Sequence, residues 1–251
     1  MIQLGCNYSP ELMELLINKQ VDLDWIKIGD ERFDVQFQAV NSLKPVLLHT
    51  LPPVAIASEH VGWGYARINA ALEQCQSPHV AIHLYVRKND FVEILPREKL
   101  IAKVKELLCY KKARMNTEVL VENMPINFMT AEYSCLADPE VIAEICAETG
   151  VGLLLDLSHL KISAWYRNQS ELEYLQQLPL DLVREIHVNG PRREGSEYRD
   201  THLDMREEDF TLLETALGLC NPRIVTLEYG KEMELLKNQL QRLAKIREQF
   251  Q

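Results

Sequence analysis

The sequence has no apolar run approaching the ~18 residues that a membrane-spanning helix requires, which excludes a helical membrane protein. Met1 to Leu4 carry neither the basic flank nor the apolar stretch of a secretory leader, so a cytoplasmic setting is expected. No C-x-x-C pair occurs, and the six cysteines, Cys6, Cys75, Cys109, Cys135, Cys146 and Cys220, are scattered. A chain of 251 residues can hold a core together without disulfides. These cysteines therefore read as free thiols, which excludes a secreted disulfide scaffold. Cys6 is the one to watch, because it closes the first apolar run. Basic residues are in deficit: 27 Lys and Arg face 37 Asp and Glu, a net charge of −10. That balance disfavours nucleic acid as a partner, since sequence-independent binding needs a basic face. No linker, low-complexity tract or short-period repeat interrupts the chain, and 47% hydrophobic with 25% charged residues excludes disorder.

What is present is an alternation of short apolar runs and amphipathic segments from end to end. The runs are Ile2–Cys6, Trp25–Ile28, Pro45–His49, Val80–Leu84, Val119–Glu122, Val151–Leu157, Val183–Val188 and Ile224–Glu228, eight candidate strands. Helix signals stand between them. Ser9-Pro10-Glu11 and Asp138-Pro139-Glu140 each place a capping residue before a proline at the first helical position, and Gly150 ends the second of these helices. Pro96-Arg97-Glu98 opens a long helix to about Arg114. The closing helix, from about Lys231 to Phe250, carries the stripe Leu235, Leu236, Leu240, Leu243 and Ile246. The segment from Arg32 to Ser42 is the weakest helix. Two connections, Thr50 to Trp63 and Asn189 to Arg206, are long and irregular, and such loops usually carry function. Eight strand–helix units in about 250 residues predict a single (β/α)8 TIM barrel over residues 1–251.

Each run from the third onward has His, Glu or Asp as its last or next-to-last residue. His49 follows PVLL, His83 follows HVAI, Glu122 follows EVLV, Asp156 follows GLLL, His187 follows REI and Glu228 follows IVTL. Those three residue types make up only about one position in six. Such groups placed where buried strands meet the C-terminal face of a barrel are costly unless paired or bound to metal, and that face is where barrel active sites lie. His159 adds D-x-x-H after the sixth run, and Asp200 with His202 adds D-x-H in the loop after the seventh. A lone strand-end histidine is more often a hydrogen-bonded rim residue. Nine such residues on six successive elements point instead to a site for transition-metal ions, Fe, Zn or Mn. His60 reads as a loop histidine. His79 starts its strand and is expected at the opposite end of the barrel.

With those residues in place, the series resembles the xylose isomerase-like barrel superfamily. It is most similar to the branches with up to three metals, endonuclease IV and the multinuclear iron oxidases of methanobactin-type peptide maturation. The text around VENMP, LLLDLSHLKISAW, EIHVNG and YRDTH looks closest to the iron oxidases, while His159 follows the endonuclease IV pattern. The resemblance implies three positions for two or three ions: His49, His83 and Glu122; Glu122 as a bridge with Asp156, His187 and Glu228; and His159, Asp200 and His202. Glu122, Asp156, His187 and Glu228 also fit the one-ion set of the sugar isomerases and epimerases, with Arg193 as a follow-up residue. The acidic, short chain lacks the basic DNA-bending loops of an endonuclease.

The leading expectation is an iron-dependent oxidase or oxygenase-like enzyme acting on a small thiol or peptide. A sugar or sugar-phosphate isomerase or epimerase is the alternative, and a metal-dependent phosphoester hydrolase a further one. The non-enzymatic alternative is a metal- or partner-binding module. Glu122, Glu228 and Asp156 are the expected catalytic groups, as acid/base residues or by tuning charge. Lys161, Arg192 and Arg193 are the candidates for holding a substrate phosphate or carboxylate. Trp63, Tyr65, Trp165 and Tyr166 could floor a pocket. Tyr229 and Asn123, which directly follow ligands, are expected to point away from the ions. A partner protein is a further expectation, and no membrane is.

Overall fold

The computed structural model describes residues 1–49, 64–87 and 89–250. Among these, the strands in chain order are β1 (Gln3–Asn7), β2 (Trp25–Gly29), β3 (Val46–His49), β4 (His79–Leu84), β5 (Glu118–Asn123), β6 (Gly152–Asp156), β7 (Val183–Val188), β8 (Gly190–Glu194), β9 (Glu197–Leu203) and β10 (Ile224–Leu227). The helices are α1 (Pro10–Ile17), α2 (Phe33–Asn41), α3 (Tyr65–Cys75), α4 (Arg97–Lys112), α5 (Pro139–Thr149), α6 (Leu157–Tyr166), α7 (Glu171–Gln177), α8 (Glu207–Leu219) and α9 (Met233–Gln249). Eight strands pair in parallel in the order β3-β2-β1-β10-β7-β6-β5-β4. The two ends of that order, β3 and β4, lie against one another. The result is a nearly closed α/β barrel of the TIM type.

Side chains alternate along a strand, so each strand has an outer set and an inner set. Leu4, Cys6, Ile26, Ile28, Val80, Ile82, Val119 and Val121 are buried outward against the helices in the main core. Ala81, Leu120 and Leu154 form a separate small apolar plug inside the barrel. Toward the C-terminal ends of the strands the inner positions are polar, and the ladder register aligns them. His83 pairs with Glu122 across β4–β5, and Asp156 with His187 across β6–β7.

The caps follow the sequence signals. Ser9 Oγ accepts from the Leu12 N–H at 3.0 Å, with Pro10 at the first helical position. Asp138 stands at the N-cap of α5, but its carboxylate takes Arg97 at 2.6 Å and Arg167 rather than the helix backbone. Gly150 ends α5 with φ +64°, a backbone that favours glycine. α6 begins at once after β6: Asp156 Oδ1 accepts from the His159 N–H at 2.8 Å, so the strand stops one residue short of its predicted end.

One expectation is corrected. The segment from Asn189 to Arg206 is not an irregular loop: β8 and β9 form an antiparallel hairpin within it. Gly195, with φ +63°, makes its turn. The other long connection, Thr50 to Trp63 with His60, lies outside the described residues. No described helix is long and apolar enough to cross a membrane.

Candidate metal centre

Parallel pairing brings the strand ends to one mouth of the barrel, and with them the nine residues. The Nε2 atoms of His49 and His83 face each other at 3.3 Å, and both approach Glu122 Oε2, at 3.6 and 3.1 Å. The other carboxylate oxygen, Glu122 Oε1, lies 3.5 Å from His159 Nδ1 and 3.9 Å from His187 Nδ1. Glu122 therefore stands between two clusters. His187 Nδ1 is 3.4 Å from Glu228 Oε1. On the far side Asp200 Oδ2 takes His202 Nε2 at 2.7 Å and His159 Nε2 at 3.3 Å, and His202 Nε2 reaches to 3.7 Å from Glu228 Oε2. The hairpin delivers Asp200 and His202, and His202 is held at φ +47°, a backbone most residues avoid. A cavity of about 480 Å³ opens over the cluster, with Asn7, Arg32 and Gln36 on its walls. A second cleft of about 580 Å³ between α1 and α9 contains no histidine.

The donor chemistry fits transition-metal ions. Imidazole nitrogens and carboxylate oxygens are the ligands such ions take. The ligand atoms of His49, His83 and Glu122 all lie within 4.8 Å of one another, as do those of Glu122, Asp156 and His187. Asp156 Oδ2 and Asp200 Oδ1 are buried without a hydrogen-bond partner among the described residues, and a buried carboxylate oxygen left so is costly. Burial pushes the Asp156 carboxyl up to about 6, and the negative charges of Asp200, Glu228 and Glu122 add to that against the pull of His159. Burial would raise Glu122 too, but His83 and His187 hold it well below the usual carboxylate range. Burial and the nearby Lys27 ammonium keep His49 neutral, the form that donates a lone pair. Burial opposes protonation of His202, yet Glu228 and Asp200 lift it to about 9. Protons thus occupy a site whose negative charge would otherwise attract cations, and metal binding there would release them.

A deeper layer had not been singled out from the sequence. Lys27, in the middle of β2 and 5% exposed, donates to Glu228 Oε1 and lies 3.1 Å from His187 Nε2. Glu185 lies 3.2 Å from His187 Nε2, accepts from Thr226, and meets His79 Nε2 at 2.5 Å. His79 does sit at the start of β4, but its ring points inward and connects to the site through Glu185. The available signal was the strand alternation itself: Lys27, His79, Glu185 and Thr226 all fall on inner positions. Asn7, at the end of β1, is another inner residue of this kind, and its Oδ1 is buried without a partner among the described residues.

Other candidates lie apart from the cavity. Lys161 is buried against Asp209 at 2.5 Å between α6 and α8. Arg192 donates to the Asp204 backbone and carboxylate at 2.6 and 3.0 Å. Arg193 lies over the rings of Trp165 and Tyr198, and Trp165 packs on Tyr166. Tyr65 packs on Tyr110, and Trp63 is outside the described residues. Asn123 turns away from the cluster and braces the Asp156 backbone through both amide atoms, at 2.8 and 3.0 Å. Tyr229 accepts from the Glu232 N–H at 3.2 Å. Cys6 is buried, and burial pushes its thiol up, away from the reactive thiolate.

A family model described as "RiPP precursor modification enzyme MbnB/TglH/ChrH" matches residues 3–251. The chain belongs to this family. Relatives of this MbnB/TglH/ChrH member include a UPF0276 protein of Caulobacter vibrioides, 24% identical over 249 residues that cover 93% of this chain and 89% of the relative. Another, from Bordetella pertussis, is 26% identical over 247 residues, covering 89% and 84%. Among solved structures, 3-keto-D-glucoside 4-epimerase from E. coli has a TM-score of 0.62 at 15% identity, covering 99% of this chain and 100% of its own. An AP endonuclease of family 2 from Brucella melitensis has a TM-score of 0.60 at 13% identity, covering 98% and 99%. At these identities the structures establish the fold alone, a TIM-type barrel. Family membership makes the chain an enzyme, and its candidate ligand groups are those of a metalloenzyme.

Proposed function

We propose that this MbnB/TglH/ChrH member is an iron-dependent oxidase with two or three ions, acting on a cysteine-bearing peptide or small thiol. The observation that carries the reading is Glu122 placed between two imidazole–carboxylate clusters, one oxygen toward each. His49, His83 and Glu122 would hold one ion and His159, Asp200 and His202 another. Asp156, His187 and Glu228 are the remaining donors. When bound, the ions supply a Lewis-acid and redox centre with positions for dioxygen and a thiolate.

The chain's own residues set the conditions for that chemistry. Neutral His49 and ionised Glu122 are in the donor forms. Among the described residues Glu185 contacts His79, His187 and Thr226, and its contact with His187 Nε2 fixes that ring so that Nδ1 turns to Glu228 and Glu122. Arg32, Gln36 and Tyr8 stand on the cavity wall, where they could orient a peptide backbone while a single side chain enters the 480 Å³ space. Lys161, Arg192 and Arg193 have partners elsewhere, so substrate selection is assigned to this wall.

The test is elemental analysis of protein purified without chelator, followed by dioxygen uptake with a cysteine-bearing peptide. At least two transition-metal equivalents, iron among them, and thiol-dependent uptake are expected. Protein that never acquires metal would sink the proposal. The sugar isomerase reading has one observation in its favour, the compact Glu122, Asp156 and His187 group. Manganese- or zinc-loaded protein that isomerises a sugar without dioxygen uptake would select it.

A further inference from the structure

Among the charged groups of the mouth, one has the wrong sign for a ligand. β2 reads Trp-Ile-Lys-Ile-Gly, with Ile26 and Ile28 buried outward against the helices. Strand alternation then forces Lys27 into the barrel. Its side chain is only 5% exposed, and Nζ ends among metal-ligand candidates at the floor of the cavity. It donates to Glu228 Oε1 and lies 3.1 and 3.4 Å from the two ring nitrogens of His187.

His187 Nδ1 and Glu228 Oε1, 3.4 Å apart, flank the middle position, whose compact ligand group is Glu122, Asp156 and His187. Metal–nitrogen and metal–oxygen bonds of this kind run at about 2.0–2.2 Å. An ion at those distances from both atoms would lie within about 4 Å of Nζ, because the ammonium contacts both residues. Two positive centres so close in a buried site repel strongly. The outer clusters are less affected: among the described residues no hydrogen bond or ion pair joins Lys27 to His49, Glu122, His159, Asp200 or His202, although its charge is felt at His49 and Glu122, and the His49–His83–Glu122 group is compact without it.

The charge balance explains why a lysine is tolerated. Glu122, Asp156, Glu185 and Glu228 are all buried in one interior, and a buried anion needs a cation beside it. A lysine carried on a strand meets that need permanently, without depending on metal supply. We propose that Lys27 is a built-in cation that takes the place of one metal ion, so that this chain binds two ions on the outer clusters and leaves His187 and Glu228 to the ammonium. The inference rests on the metal reading given above and sharpens its number of ions.

Metal-free protein is dialysed against excess Mn²⁺ or Zn²⁺, and bound metal is counted for wild type, Lys27→Met and Lys27→Arg. Two equivalents are expected for wild type and for Lys27→Arg, and three for Lys27→Met, which has similar bulk and no charge. In chelator, Lys27→Met should melt roughly 10 °C below wild type, because its carboxylates have lost their counter-charge, and should recover when Mn²⁺ is added. A wild-type count of three overturns the role of Lys27 and leaves the metal reading standing. Equal counts for wild type and Lys27→Met overturn it too. A count of zero in every variant removes the metal reading itself. Should Lys27→Met fail to fold, the wild-type count and a crystal structure of metal-loaded wild type decide the matter. Nζ within hydrogen-bond distance of Glu228 supports the proposal, and an ion bound by both His187 and Glu228 overturns it.

Discussion

Asp156 divides two tasks between its two oxygens. Oδ1 caps α6 through the His159 N–H, and Oδ2 is buried without a hydrogen-bond partner among the described residues. Asparagine caps a helix about as well as aspartate but carries no charge, whereas alanine loses the cap at a cost of about 1 kcal/mol. Asp156→Asn should therefore melt no lower than wild type in chelator yet bind less metal. Asp156→Ala should lose both stability and metal. Calorimetry paired with metal counting separates the two oxygens, and equal metal content in Asp156→Asn and wild type would remove Asp156 from the ligands.

The residues of the mouth differed in how legible they were. His49, His83, Glu122, Asp156, His187 and Glu228 each stand out because a charged or imidazole group ends an apolar run. Lys27 and Glu185 do not, because each sits inside an alternating strand, where a polar residue normally means a solvent-facing side. In a barrel the second side of the strand is the interior, and the same alternation hides a buried charge.

At the level of elements, the eight parallel strands were readable from their apolar runs, and the hairpin β8–β9 was not. Its strands, GPRRE and EYRDTHL, are polar and only partly buried, so no hydrophobic period marks them. The glycine turn at Gly195 between them was the local clue. The hairpin matters because it holds Asp200 and His202, and its base is tight. A Cβ on Gly190 would meet the Asp204 carbonyl oxygen at 2.1 Å. That oxygen is backbone and not a flexible side-chain end, so the base would have to open. Gly190→Ala should lower metal content by one equivalent while the far-UV circular dichroism of the barrel stays unchanged. Full metal content would show that the hairpin is not needed to place its ligands.

Helix α4 carries a second element-level consequence. Lys111 is 5% exposed, and burial depresses its ammonium to about 8. Its folded value lies below the unfolded one of 10.5, so between about 8 and 10.5 the unfolded chain binds more protons and stability rises with pH. Below 8 the penalty is present in full. Relative to its effect at pH 10, Lys111→Met should accordingly favour the folded protein at pH 7, by about 1–3 kcal/mol, and that gain should shrink as the pH passes from 8 toward 10. Thermal melts across that range check it, and a gain that does not vary with pH would assign the effect to packing instead.

For the molecule as a whole, the net charge of −10 has a structural counterpart. The barrel interior concentrates Glu122, Asp156, Glu185 and Glu228 in burial, with Asp200 at its edge. In the metal-free protein Lys27 and shared protons balance them in part, as the raised carboxyl of Asp156 and the raised imidazole of His202 show. An ion that binds the folded state alone stabilises it by mass action, about 2.7 kcal/mol at a hundred times its dissociation constant. For a chain of this size each kcal/mol moves the melting temperature by roughly 2–4 °C. Metal-loaded protein should therefore melt about 5–10 °C above protein dialysed against chelator. The gap should also narrow as the pH falls, first below about 9, where a proton occupies His202, and further below about 6, where one occupies Asp156, each in competition with the ion. Magnesium, which prefers oxygen donors and keeps its waters, should give a much smaller shift than zinc or manganese in a site built half of imidazole. Identical melts with and without transition metal at neutral pH would mean that the carboxylates and imidazoles balance one another unaided, and that the mouth of the barrel is a salt-bridge network and not a metal centre.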